Sequence, residues 1–413
     1  MLHVFNCYVP WGVFTLAELR AGLCHVVLLI PWGLLFLRLD RRSWWNCVLF
    51  LGYTAGMFFF QRRLASGLPL RFASLRSWRT SPDNYRKTSS FLRSIKAKQC
   101  PAKGVSAEGY GERPVVVITG GERGIGRQVV EQLLREKMDV ILCCPFEAVA
   151  QQTIQKLKAR IPGAVITFLK LNLNDEDSVR ESAASILRMT PRIDVLINNA
   201  GMVNIAGYKA NRRGNEVVLA INFLGHVLLT ELLLDRVQAS GPSRIVNVAS
   251  LMQLNACIPG PCRTPLDALV ANCDPNSAYH TSNYSLSKLL FICYTRDLAR
   301  RLQGTSTKVV SLHPGVVLTN IYSFGAIFMK LLLRTVFKFP GEGAEVVLCC
   351  ALAPNIESGS FYADFQQYDS VLSPLALDDA HNERLRRVLL RYFGLDHAPL
   401  STMSLSEVAA ATP

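Results

Sequence analysis

Residues 114–126 read PVVVITGGERGIG, and few stretches constrain a fold as tightly. A run of valine and isoleucine ends abruptly in glycines, and RQVVEQLLREK then continues at helical spacing. That is strand, tight turn and helix, the arrangement in which backbone N–H groups and a helix N-terminus receive a pyrophosphate. The glycines Gly120, Gly124 and Gly126 follow the spacing T-G-x-x-x-G-x-G.

A second local signal is Tyr284-Ser285-Leu286-Ser287-Lys288, followed by LLFICYTRDLARRL with no proline or glycine before Gly304. The spacing predicts a helix, on which positions i and i+4 stand one above the other. A free phenol has a pKa of about 10, too high for a general base at neutral pH. A lysine ammonium held beside it favours the phenolate and brings the tyrosine toward useful acid–base strength. The competing reading is a tyrosine docked on the core with a lysine passing over it.

The rest of the chain sets limits. Its 413 residues hold one large domain plus additions. Twelve cysteines show no ladder of spacings, and Cys143-Cys144 and Cys349-Cys350 are adjacent pairs, so they read as small core hydrophobes of a reduced compartment. Seven scattered histidines give no ligand pair, so no metal is expected, and His226 and His313 read as packing residues. The net charge of +14 resides mostly between Arg62 and Lys103, where eleven basic residues face the single acid Asp83. A basic stretch beside an apolar one suits a membrane surface, whereas a basic stripe on a folded domain would suit phosphate backbones. No nucleic-acid partner is expected.

The apolar stretch precedes it. Segments 21–37 and 44–60 are each seventeen residues without a formal charge, separated by RLDRRS. Seventeen lies at the lower edge of a bilayer span. A two-helix hairpin, one span plus an interfacial segment, and a monotopic hairpin all fit; in the first two the basic segment places the C-terminal domain in the cytosol. The expected organisation is a membrane-anchoring region 1–63, a basic linker 64–111, an α/β domain 112–394 and a disordered tail 395–413.

The motifs and their order resemble the short-chain dehydrogenase/reductase superfamily over roughly 112–394. INNAG, ending at Ala200 and Gly201, resembles the N-N-A-G that closes the adenine side of the cofactor cleft, with Asn199 and Gly201 as contacts. INFLGHVLLT resembles the segment of the family's active-site asparagine, here Asn222. RIVNVAS resembles the strand delivering a catalytic serine, here Ser250, and Y-x-x-S-K falls on Tyr284, Ser287 and Lys288. HPGVVLT resembles the turn beside the nicotinamide carboxamide, which implies Pro314, Gly315 and Thr319. Gly120, Gly124, Ile125 and Gly126 are implied at the pyrophosphate side, and Arg123 within reach of a 2′-phosphate. Asn172 and Leu173 stand where the family has an adenine-contacting Asp-Leu. The resemblance implies hydride transfer with Tyr284 as general acid or base, Lys288 lowering its pKa and holding the nicotinamide ribose, Ser250 polarising the substrate oxygen, and Asn222 anchoring a water that links Lys288 to solvent. It also implies a doubly wound Rossmann-type domain with a mostly parallel sheet of about seven strands in the order 3-2-1-4-5-6-7. Strands are expected near 114–119, 138–143, 164–172, 193–198, 243–249, 307–313 and 359–364.

The chain departs from the pattern after the second strand, where Cys144-Pro145 supplies neither an aspartate for NAD nor an arginine for NADP. Arg123 favours NADP(H), with NAD(H) open. Within the superfamily, NFLGHVLLT, HPGVVLT, PGEGAEVVLCCALAP and ESGSFYADF resemble the membrane-associated retinol-dehydrogenase-like group. This implies a lipophilic alcohol or carbonyl substrate such as a retinoid, steroid, polyprenol or fatty aldehyde, and a location at the endoplasmic reticulum or lipid droplet. Segment 324–339 reads either as an interfacial helix or as a buried helix with a basic edge. The stretch between Ser250 and Tyr284 is expected to loop over the substrate mouth. A homodimer is open, since relatives pair through the helices bearing Asn222 and Tyr284. The alternative is a non-catalytic cofactor-binding scaffold tethered to a membrane.

Overall fold

The computed structural model describes residues 113–203, 209–256, 280–315, 317 and 339–396. The expected anchor and linker, the tail from 397 onward, most of the interfacial segment and Thr319 lie outside the described residues; Leu395, placed in the tail by the sequence, instead donates its N–H to the Leu390 carbonyl at 2.8 Å.

Strands and helices alternate along the domain. Strand β1 (Val115–Thr119) passes into α1 (Gly124–Arg135), β2 (Asp139–Cys144) into α2 (Glu147–Arg160), and β3 (Ile166–Lys170) into α3 (Glu176–Met189). After β4 (Val195–Asn198) comes α4, which spans Val217–Ala239 with one π-helical stretch at Ala220–Leu224. Strand β5 (Ser243–Val248) leads through a 3-10 turn (Leu251–Asn255) towards α5 (His280–Arg301). Strand β6 (Thr307–His313), α6 (Pro340–Leu352), β7 (Phe361–Ala363) and β8 (Gln366–Gln367) follow, then α7 (Pro374–Leu377) and α8 (Asp379–Tyr392).

The sheet order is β3-β2-β1-β4-β5-β6-β7-β8. The first seven strands in that row are parallel, as expected, and β8 adds an antiparallel edge paired to β7. The expected seven strands are thus present in the expected order, and among the described residues the two-residue β8 is an addition. Asp364 and Phe365 both take positive φ (48° and 67°) to make the hairpin, without the glycine that normally announces such a turn. The stretch after Ser250 begins with a 3-10 turn at Leu251–Asn255, and residues 257–279 of the expected loop lie outside the described residues.

A parallel sheet covered on both faces needs strands that are apolar throughout. Val115 and Val117 pack with α3, α4 and α5, whereas Val116 and Ile118 pack with α1, α2 and α6. Helix α4 is apolar and long enough to cross a bilayer, yet most of it is buried inside the fold, so its composition reflects a core position. The strand order reverses between β1 and β4, which opens a crevice at their carboxyl ends.

Candidate active site

The crevice is built around the glycine-rich turn. Gly120 (φ 67°) donates its N–H to the Cys143 carbonyl at 2.9 Å, fastening the turn to β2. Gly126 is required for space: a Cβ there would lie 2.2 Å from the Gly120 oxygen and 2.6 Å from the Asn199 amide nitrogen. The Asn199 side chain donates to the carbonyls of Thr119 (2.9 Å) and Gly120 (3.1 Å), and Gly201 follows on the same turn. Helix α1 begins with no side-chain cap and no acid in its first turn, whereas α2 and α3 begin with Glu147 and with Glu176 and Asp177. The N–H groups at Gly124, Ile125 and Gly126 thus form a positive end left for an anion. A dinucleotide pyrophosphate fits this cradle.

Arg123 stands beside the turn. Its Nε lies 3.1 Å from the Glu122 carboxylate and its guanidinium carbon lies 4.8 Å from the Phe146 ring centre. Glu122 is buried, while about half of the Arg123 side chain remains exposed. With Nε taken and one face on a ring, the terminal Nη fork is the part left to meet a ligand. Neither Glu122 nor Phe146 was singled out from the sequence; a carboxylate next to the basic residue of a glycine-rich turn is the only local signal for the first. The adjacent thiols of Cys143 and Cys144 are buried, and burial pushes both pKa values up, so they are protonated core groups. Asn172 and Leu173 line a cavity of about 680 Å³ with the start of α3, one face of α4 and the end of α8. The Asn172 side-chain oxygen closes its own turn by accepting from the Asn174 N–H at 3.1 Å. Pro314 and Gly315 follow β6 directly, and Gly315 takes φ 91°.

The proposed catalytic side chains converge on α5. Tyr284 and Lys288 share a helix face, with the lysine Nζ 5.5 Å from the tyrosine ring centre. Lys288 is buried and donates to the Val248 carbonyl at 2.8 Å, two residues before Ser250. Burial lowers its pKa to about 8. Ser250 caps the 3-10 turn, its Oγ accepting from the Met252 N–H at 3.2 Å.

Asn222 sits inside the π-helical stretch of α4, a local unwinding that often marks functional positions. Its side chain pairs with both backbone groups of Met202, accepting from N–H at 2.8 Å and donating to the carbonyl at 2.9 Å. The same amide nitrogen lies 3.2 Å from Ser287 Oγ, which donates to the Tyr284 carbonyl at 2.7 Å. Gly201 completes the enclosure, since a Cβ there would lie 3.6 Å from both Asn222 Oδ1 and Lys288 Nζ. Asn222, Tyr284, Ser287 and Lys288 are therefore one connected cluster, with Ser250 at its edge.

Residues 114–267 match the model of the short chain dehydrogenase family. The chain is 34% identical over 286 residues to retinol dehydrogenase 12 of Mus musculus, covering 68% of this chain and 86% of that protein. It is 35% identical over 291 residues to retinol dehydrogenase 14 of Homo sapiens, covering 65% and 83%. A crystal structure of an uncharacterised protein from Mycobacterium Paratuberculosis superposes with a TM-score of 0.54 at 26% identity, over 69% of this chain and 95% of that one.

Proposed function

The chain belongs to the short-chain dehydrogenase/reductase family as an NAD(P)-dependent oxidoreductase, and on that premise we propose that it interconverts lipophilic alcohols and carbonyls at a membrane. The observation that carries the catalytic reading is the cluster in which Asn222, Ser287 and the Tyr284 carbonyl are joined by hydrogen bonds, with Lys288 beside the Tyr284 ring and bonded to the Val248 carbonyl two residues before Ser250. The nicotinamide cofactor supplies or accepts the hydride. Tyr284 gives its phenolic proton to the substrate oxygen in reduction and takes it back in oxidation. The Lys288 ammonium beside the ring favours the phenolate that this exchange creates. Since Ser250 Oγ accepts from Met252, its own hydrogen is left to donate to the substrate oxygen. Asn222 holds Ser287, and through it the turn of the catalytic helix that carries Tyr284.

Gly120, Gly124, Ile125 and Gly126 cradle the pyrophosphate, Asn199 and Gly201 border the adenosine half, and Pro314, Gly315 and Thr319 border the carboxamide. Asn172 and Leu173 meet the adenine. The Arg123 fork, braced by Glu122 and Phe146, takes the 2′-phosphate, so NADP(H) is preferred over NAD(H). The curated relatives bear retinol dehydrogenase names, which supports a retinoid or similarly apolar substrate. Segments 21–37 and 44–60 anchor the chain at the endoplasmic reticulum or lipid droplet, with the catalytic domain in the cytosol.

The test follows the near-ultraviolet absorbance of the reduced cofactor in membranes carrying the wild type or Tyr284→Phe. Retinal, a prenyl aldehyde and a steroid ketone are offered with NADPH or NADH. The expected result is NADPH-dependent turnover that falls at least about a hundredfold in the variant. Equal turnover in both proteins removes Tyr284 from the chemistry. Cofactor binding without turnover on any substrate supports the scaffold reading instead.

A further inference from the structure

His226 lies one helical turn after Asn222, fully buried. Its ring stacks on Phe291 of α5 with centroids 5.5 Å apart and planes 15° from parallel. Both ring nitrogens have polar neighbours: Nε2 is 2.9 Å from Thr119 Oγ1, and Nδ1 is 3.3 Å from the Asn222 carbonyl oxygen. The first neighbour belongs to the cofactor turn and the second to the catalytic cluster.

The positions of the protons follow from counting. Thr119 Oγ1 accepts from the N–H groups of Asn199 and Ala200, each at 3.0 Å. A hydroxyl has two acceptor sites and one hydrogen, so its hydrogen goes to His226 Nε2. That nitrogen is therefore unprotonated, and the neutral ring carries its hydrogen on Nδ1, where it donates to the Asn222 carbonyl. A simple space-filling aromatic makes neither bond.

We propose that His226 is a positioning residue that joins the cofactor-binding turn to the catalytic helix through Thr119 on one side and Asn222 on the other. The connection runs from the backbone of Asn199 and Ala200 through Thr119, the imidazole and Asn222 to Ser287 and the Tyr284 carbonyl. Each joint is a hydrogen bond of defined direction. A cofactor that orders the glycine-rich turn thereby orders the turn of α5 that carries Tyr284 and Ser287. This role rests on the catalytic reading of Tyr284. Burial lowers the pKa of His226 to about 3, the hydrogen bond to Asn222 opposes that shift, and the charge of Lys288 adds to it. The ring is thus neutral wherever the enzyme works, and the connection does not switch with pH.

The first test needs no variant beyond one for assignment. Nitrogen NMR of the full-length chain, purified in detergent with labelled histidine, is recorded from about pH 5 to about pH 9, with His226→Gln identifying the resonance. One histidine is expected to keep an imine-type Nε2 and a protonated Nδ1 throughout. An Nε2–H tautomer, or a ring that titrates in that range, overturns the proposal.

Three variants then separate the two joints. His226→Phe retains the ring stack and loses both hydrogen bonds. His226→Asn supplies an N–H near the Nδ1 position, and His226→Gln supplies an oxygen near Nε2. NADPH affinity is read by fluorescence and turnover on retinal by absorbance, well below the melting temperature. His226→Phe is expected to weaken both by about 3- to 10-fold, as for the loss of one hydrogen bond each. The asparagine is expected to restore turnover more than affinity, and the glutamine affinity more than turnover. A lower melting temperature with wild-type affinity and turnover would show that His226 only fills space. Tyr284→Phe serves as the control. If that variant retains turnover, the catalytic reading fails, while the tautomer and the affinity of His226→Phe still decide whether His226 holds the cofactor turn.

Discussion

At the scale of the residue, Lys288 sets burial against charge. It is buried beside Tyr284 and bonded to a carbonyl, and its pKa is lowered to about 8. The free enzyme should therefore lose the ammonium above about pH 8. The profile of kcat/KM in the reductive direction is expected to fall on an alkaline limb near that value, because kcat/KM reports the free enzyme. Stability moves the other way. The folded pKa lies below the unfolded value of 10.5, so the unfolded chain binds more protons between the two and stability rises as pH climbs through that window. The rise is roughly 3 kcal/mol at most. Denaturant melts should show it in the wild type and not in Lys288→Met. A Lys288→Met protein with the same slope would mean that this lysine is not the titrating group.

At the scale of the element, Arg244 shows how the cofactor side is held. It projects from β5, fully buried, and its Nη1 donates to the carbonyls of Cys350 (3.0 Å) and Ala353 (2.7 Å) at the end of α6. A cation at a helix C-terminus meets both the orphan carbonyls and the negative end of the dipole. The start of α6 lies against the cofactor turn: a Cβ on Gly343 would lie 3.3 Å from the Ile125 side chain and 2.7 Å from that of Val317. Arg244 therefore anchors the far end of a helix whose near end supports α1. Arg244→Met retains most of the stem and loses both bonds, so a cost of about 2–4 kcal/mol is expected. Hydrogen exchange should become faster at 348–353 while the alkaline limb of the rate profile stays in place. Unchanged exchange there would show that α6 ends securely without the arginine.

At the scale of the whole molecule, α8 decides how the domain is closed. It packs on α5 through Leu385 and Leu389, and Arg386 reaches Asp297 of α5 at 3.1 Å. Past its end, the Phe393 carbonyl accepts from Arg180 of α3 at 2.6 Å, and the Tyr392 hydroxyl lies 2.6 Å from the Asn215 amide. Burying Leu385, Leu389, Phe393 and the rest of this surface at about 1.5–3 kcal/mol per large side chain approaches the 5–15 kcal/mol of a typical domain. A chain ended after Leu372 is therefore expected to aggregate instead of binding cofactor. Because α8 lies on α5, the full chain in detergent should have the protein mass of one copy by light scattering. A stable dimer would show that pairing uses another surface or displaces α8.

Much of this architecture is legible in the amino-acid order, because its signals are local. Strand β1, the glycine turn and α1 follow from adjacent residues, and the Tyr284–Lys288 pair follows from one helical turn. The parallel strands announce themselves as apolar runs, since burial on two faces permits nothing else. Their order was available only through the resemblance, and the eighth strand escaped because its turn residues, Asp364 and Phe365, carry no glycine signal. The partners of the site were hidden for a different reason. Thr119 and His226 are 107 positions apart, Asn222 and Ser287 are 65 apart, and Glu122 and Phe146 meet only around the Arg123 side chain. A histidine in an apolar helix reads as packing until its two nitrogens are placed between a threonine and a carbonyl. Local spacing can specify which groups share a turn or a face. Hydrogen-bond direction, protonation and burial depend on neighbours that only the folded chain supplies, and those decided which residues connect the glycine-rich turn to the helix bearing Tyr284 and Lys288.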